Sequence, residues 1–219
     1  EASTRSAKRA TETGYSADVA QEIKDICADC GISLVTTLPD DWIAQTIATF
    51  EQDSRFTHVP ANREESMVGL CSGAFLSGTG ALALLGASGL MTLVYAITKI
   101  NYTYEIPMFI MITQRGTFDD GAKFHVSNGL YLDAVMESID LPHTVIRSRD
   151  ELPLIAEAYH HSRKISRPTV AMLPKKLLQG KYFPLPYTGQ RPNPTKYDPE
   201  QKVKVRGVSF GLRKSRETK

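Results

Sequence analysis

The chain has 219 residues, 42% apolar and 23% charged, the balance of an ordinary globular domain with a full core. Its 26 Lys and Arg against 24 Asp and Glu leave a net charge of +2, so nothing global points to nucleic acid. No apolar run reaches the roughly 18 residues of a membrane span, and no basic–apolar signal segment opens the sequence.

The first 15 residues are polar and read as a flexible N-terminus. Ser16 then stands where it can cap a helix over about 17–30, with Val19, Ile23, Ile26 and Cys27 on its apolar face and Gly31 at its end. "ISLVTT" (32–37) reads as a buried strand. Pro39 opens a helix through "DDWIAQTIATFEQ", in which Trp42, Ile43, Ile47 and Phe50 share a face. "FTHV" (56–59) is a strand and 64–78 a helix; "ALALLG" (81–86) is a strand and 89–102 a helix. "MFIMIT" (108–113) is the most apolar strand, followed by a polar, Gly- and Asp-rich loop at 114–125 that reads as a mobile cover and by a helix at about 127–139. "HTVI" (143–146), a helix near 150–164 and the strand "PTVAML" (168–173) complete the set.

Apolar strands joined by helices imply an α/β fold, a six-stranded, mostly parallel sheet with helices on both faces. The expected division is a flexible 1–15, an α/β domain over 16–178 and a tail over 179–219. That tail is Pro-rich and basic: five prolines fall in 181–199, and nine Lys or Arg against three acids follow Thr188. In parallel sheets ligands bind beyond the carboxyl ends of the strands, which directs attention to 38–42, 60–65, 86–91 and 114–128.

Several patterns have competing readings. Cys27 and Cys30 form a C-x-x-C, but no second pair or nearby His completes a metal site. Buried free thiols, in a reducing cytoplasm, are the expectation for these and for Cys71. "GTGALALLGASG" (78–89) has its first glycines before a strand, not after one, so it is not a dinucleotide fingerprint. "GASGL" (86–90) partly resembles a nucleophile elbow with Ser88 as the nucleophile; alternatively Ser88 caps a helix and Gly89 admits a close neighbour. Gly69, Gly73 and Ser77 recur at a spacing of four on one helix. A glycine in a helix interior costs about 1 kcal/mol against Ala, so the stripe implies close packing, on a partner subunit or on the chain's own sheet.

Five blocks in register carry a resemblance: "THVPANREESMVGLCSGAFLSG" (57–78), the strand after it, "SGLM" (88–91), "YEIPMFIMITQRG" (104–116) and "FHVSNG" (124–129). Over about residues 16–178 the chain resembles the thiamine-diphosphate-dependent decarboxylases of 3-sulfopyruvate and 3-phosphonopyruvate, in their pyrimidine-binding half, the alpha subunit of two-subunit members. The resemblance implies that a Glu hydrogen-bonds the ring nitrogen of the cofactor's aminopyrimidine and favours the imino tautomer that takes the thiazolium proton. Glu64 stands nine residues before Gly73, the offset of that Glu in the wider superfamily, which leaves Glu65 as a neighbour able to pair with Arg63.

The resemblance also implies cofactor contacts at Ser88, Gly89 and Leu90. Gln114, Arg115, Lys123 and His125 line the place of the substrate, the last three as donors to its second anionic group. The superfamily holds diphosphate and Mg2+ through Gly-Asp-Gly and a downstream Asn. Here "DDG" (119–121) and Asn128 do not reproduce that spacing. Both groups are therefore expected on a beta subunit, with no metal ligand on this chain and activity only in a hetero-oligomer. Close relatives read Met-Gln-Asn-Ser-Gly where this chain has Leu85-Gly86-Ala87-Ser88-Gly89, and His or Trp where it has Gln114. These departures bear on the substrate, sulfonate first and phosphonate second. Carboligation on the same cofactor and a non-catalytic subunit that shapes an enzymatic partner are the alternatives.

Overall fold

The structure, a computed structural model, describes residues 2–118, 120–180, 203–205 and 208–210, with side chains from Tyr15 to Gly180 except Asp119. The chain divides into two units, Glu1–Leu185 and Pro186–Lys219. Within the second, strands β7 (Val203–Val205) and β8 (Val208–Phe210) pair antiparallel; the rest of the Pro-rich tail lies outside the described residues.

The first unit alternates as its hydrophobic pattern requires: α1 (Ala2–Asp29), β1 (Ile32–Thr37), α2 (Ala44–Glu51), β2 (Thr57–Pro60), α3 (Glu64–Leu76), β3 (Gly80–Leu85), α4 (Ala87–Ile97), β4 (Met108–Gln114), α5 (Val126–Ser138), β5 (His143–Val145), α6 (Leu154–Ile165), β6 (Pro168–Pro174) and α7 (Lys175–Gln179). All six strands run parallel, in the order β2-β1-β3-β4-β6-β5. The central strands β3, β4 and β6 are buried along nearly their whole length, which is why they read as unbroken apolar runs rather than alternating ones.

Side chains of alternate parity build two cores. Val35, Leu82, Leu84, Phe109 and Met111 pack with α1, α2, α6 and α7 on one face. Ala81, Ala83, Leu85, Ile110 and Ile112 pack with α3, α4 and α5 on the other. Cys27 and Cys71 are buried in these two cores, and all three thiols are free. Burial pushes the Cys71 thiol up to about 12 and moves Cys27 the same way.

Local differences from the sequence reading have local causes. Helix α1 begins at Ala2, so Ser16 lies inside it rather than at its cap, and the polar opening residues continue the helix. Pro39 does not open α2: the Asp40 carboxylate accepts the Trp42 amide at 2.9 Å, an Asx turn that delays the helix to Ala44. Helix α4 starts earlier, at Ala87, and its far end widens into a π-helical turn, Thr98–Tyr102. There the fully buried Asn101 donates to the Ile106 carbonyl at 3.0 Å and to Ser72 Oγ at 3.3 Å.

The 114–125 segment, read as a mobile cover, is anchored. Gly116, at φ +77°, crosses α5 so closely that a Cβ on it would lie 2.4 Å from Gly129 N, and one on Gly129 would lie 2.2 Å from Gly116 O. Neither contact tolerates a side chain. Gly129→Ala is expected to destabilise the chain by about 2–3 kcal/mol through forced separation of loop and helix, whereas Gly73→Ala, which meets nothing within 4 Å inside α3, should stabilise it by up to about 1 kcal/mol. Urea denaturation of both variants, compared at unchanged slope, measures the difference.

Candidate functional site

The loops that leave the carboxyl ends of β1, β3 and β4 meet on one carboxylate. Asp40, after β1, accepts from Arg115 Nη2 at 2.5 Å and from Arg115 Nε and Thr113 Oγ1 at 3.2 Å each, besides the Trp42 amide. Thr113 Oγ1 in turn accepts the Ala87 amide, the first of α4, at 3.2 Å. A Cβ on Gly86 would lie 2.7 Å from Asp40 Oδ2, so the backbone at the start of α4 approaches the carboxylate directly. The Arg115 guanidinium sits over Trp42, 3.7 Å from the ring centroid, and its side chain is only 5% exposed. It also touches Asp41. Arg115, expected to receive the substrate's second anion, is thus already engaged by two carboxylates of its own chain.

Glu64 opens α3, after β2. Its carboxylate is half-buried and forms no ion pair among the described residues. It points at α4: a Cβ on Gly89 would stand 3.0 Å from Glu64 Oε1 and 2.9 Å from Glu64 Cγ. Only glycine leaves room for the carboxylate there. The partial positive charge of two helix N-termini, its own and that of α4, lies beside it. Glu65 differs in every respect. It is exposed and lies 3.6 Å from Arg63 Nη2.

Loop 114–125 closes on Asp120. Its two carboxylate oxygens accept the amides of Gly116 at 3.0 Å and Ala122 at 3.2 Å, and one of them lies 2.9 Å from His125 Nδ1. Burial alone would raise the Asp120 carboxyl. The Gly116 and Ala122 amides and the His125 ring outweigh it and hold the group below its ordinary value. His125 is thereby committed to its own loop, while Lys123 stays exposed and Gln114 half-buried at the last position of β4.

Ser88 does not cap α4, whose N-cap is Gly86; its Oγ accepts Asn128 Nδ2 at 2.9 Å. Its bonded partner is an amide donor, with no histidine to act as a base, so the nucleophile-elbow reading finds no support here. Leu90, side chain and backbone alike, is fully buried in the core under α4 and offers no surface to a ligand in this chain. Among the described residues no group of three or more His, Cys, Asp or Glu is placed to hold a metal ion.

Sequence reasoning reached the segments 38–42 and 114–128 but gave Asp40, Asp41 and Asn128 no part in a site, and it missed Thr113. The acidic pair directly after β1, in a carboxyl-end loop, was the available signal. The glycine stripe of α3 does not pack on the chain's own sheet. Gly69 and Gly73 are exposed, and a Cβ on either would meet nothing within 4 Å. Leu76, one turn further on, and Tyr95 of α4 are both 72% exposed.

No family model matches the chain. It is similar to the sulfopyruvate decarboxylase of Methanosarcina acetivorans, 29% identical over 163 residues, which is 74% of this chain but 42% of that protein. It is likewise similar to the sulfopyruvate decarboxylase subunit alpha of Methanococcus maripaludis, 28% identical over 146 residues, and to that of Methanocaldococcus jannaschii, 27% identical over 146 residues. These alignments take in 66% of this chain and 87% and 86% of the two subunits. The chain therefore spans less than half of the Methanosarcina protein and most of each alpha subunit.

Removal of the shared carboxylate gives the sharpest test of the cluster. Asp40→Ala leaves Arg115 as a buried cation without its bidentate partner and is expected to cost about 3–5 kcal/mol. Asp40→Asn, which keeps an acceptor for Trp42 and Thr113, should cost clearly less. Equilibrium unfolding of the two variants decides whether the carboxylate or only its hydrogen bonds hold the three loops.

Proposed function

We propose that the chain is the alpha-type, pyrimidine-binding subunit of a thiamine-diphosphate-dependent decarboxylase of 3-sulfopyruvate, releasing carbon dioxide and sulfoacetaldehyde. The observation that carries this reading is Glu64, half-buried, with no counter-ion among the described residues, seated against Gly89 at the start of α4. The similarity to sulfopyruvate decarboxylases and their alpha subunits supports the substrate.

The residues present fit the aminopyrimidine end of the cofactor. Gly89 lets Glu64 and Leu85 pack directly on the backbone of α4, and Glu64 there offers an anion able to share a proton with a ring nitrogen. When bound, the cofactor supplies a nucleophilic carbon and an electron sink for the carboxylate carbon of a 2-oxo acid. The chain's own part is to hold that ring, to keep a proton on or off it through Glu64, and to set the first turn of α4 through Thr113 and Asp40.

Diphosphate and Mg2+ fall to a second, beta-type chain on this reading. The bare outer face of α3, with Gly69, Gly73 and Leu76, is where that chain would approach most closely. The catalytic protein is then a cytoplasmic hetero-oligomer.

Two measurements test the reading. In the complex with its partner, Glu64→Gln should slow exchange of the thiazolium proton for deuterium by about 100-fold or more, the scale of a lost acid–base group. Glu65→Gln should change it little. Equal losses in both variants would reject Glu64, and no cofactor-dependent exchange in the wild type would reject a catalytic role in favour of a scaffolding one. For the interface, Gly73→Leu should leave the isolated fold intact, because the position opens on solvent, but prevent assembly. Size-exclusion chromatography with the partner reads this directly, and a complex of normal size would place the interface elsewhere.

A further inference from the structure

Arg115 and Lys175 both stand over the ring of Trp42, at 3.7 Å and 5.4 Å from its centroid. Two carboxylates contact Arg115, and the two are held very differently. Asp40 is fixed by four hydrogen bonds and its side chain is 11% exposed. Asp41 has one contact, with Arg115 Nη2, and its side chain is 79% exposed. Asp40 alone satisfies the bidentate geometry of the guanidinium. Asp41 caps what remains of it and is the only exposed anion of the cluster. With Asp41 in place Arg115 faces two carboxylates; with Asp41 turned into solvent it keeps Asp40 alone.

We infer that Asp41 is a resident carboxylate that occupies the place of an anionic ligand group on Arg115 and is displaced by the sulfonate or phosphonate of the substrate. Asp41 is therefore a specificity-determining residue. A neutral distal group cannot displace it, because it offers Arg115 nothing in exchange for the lost ion pair, whereas a second anion replaces charge with charge. Which anion arrives rests on the function proposed above; the contact of Asp41 with Arg115 does not involve the cofactor.

Trp42 is the only tryptophan of the chain and lies under the guanidinium, so its emission reports the cluster without any catalytic readout. The full chain, without cofactor or partner, is titrated with 2-hydroxyethanesulfonate at constant ionic strength, with propane-1,2-diol as the neutral control. The wild type should show weak saturable binding of the sulfonate and none of the diol. Asp41→Asn, which removes the competing charge at an exposed position, should bind the sulfonate about tenfold more tightly. Arg115→Lys, which loses the planar fork, should abolish the response, and Lys175→Gln should weaken it. Unchanged affinity in Asp41→Asn, or no sulfonate response in either protein, overturns the inference. Neither result touches the Glu64 reading, which is tested by proton exchange on the cofactor. Conversely, sulfonate binding strengthened by Asp41→Asn stands even if that exchange is absent.

Discussion

One carboxylate organises the functional end of this sheet. Asp40 receives the guanidinium of Arg115 from β4, the hydroxyl of Thr113 one residue before the end of the same strand, and, through that hydroxyl, the first amide of α4. Strands β1, β3 and β4 are neighbours, so a single acceptor can reach all three carboxyl ends. A buried ion pair contributes little net stability over apolar packing, because desolvation cancels most of its attraction. What it does supply is a fixed distance. The start of α4 cannot shift along β3 without breaking the link to Thr113, and Gly89, two residues on, cannot leave Glu64 without moving that start.

The sequence disclosed the architecture well because the physics behind it is local. Strands β3, β4 and β6 are buried on both faces, and their runs of Ala, Leu, Ile and Met have no other soluble explanation. Glu64 and Glu65, identical in chemistry, were separable only through the offset to Gly73; their different burial follows from the helix turning one of them toward α4. The Asp40–Arg115 pair was not legible, since 75 residues separate its members and nothing in either neighbourhood names the other. Ser88 misled for a related reason. Its position before a helix favours capping, but Asn128, forty residues away, claims its hydroxyl. The glycine stripe gave a face of α3 but not what lies beyond it, because helical period fixes a face alone; Gly69 and Gly73 open on no described neighbour.

The two faces of the sheet are finished differently. On the side of α1 and α2 an ion network of Lys24, Asp25, Asp53 and Arg55 seals the surface, with Lys24 Nζ 2.6 Å from Asp53. On the side of α3 and α4 the surface offers glycines, Leu76 and Tyr95. The similar Methanosarcina protein is more than twice as long as the aligned segment, whereas the alpha subunits are nearly coextensive with it.

Cys71 lies two turns beyond Glu64 on the same helix, facing the core, and burial has pushed its thiol up to about 12. In the closed helix almost no thiolate exists at neutral pH, and no reagent can reach the sulfur. Alkylation at Cys71 can therefore proceed only during the moments when α3 lifts from the sheet. The rate of modification is a clock for the opening of the very helix that presents Glu64, running in every molecule without a label having been added. Contact with anything that clamps the outer face of α3 would slow that clock from the opposite side of the helix.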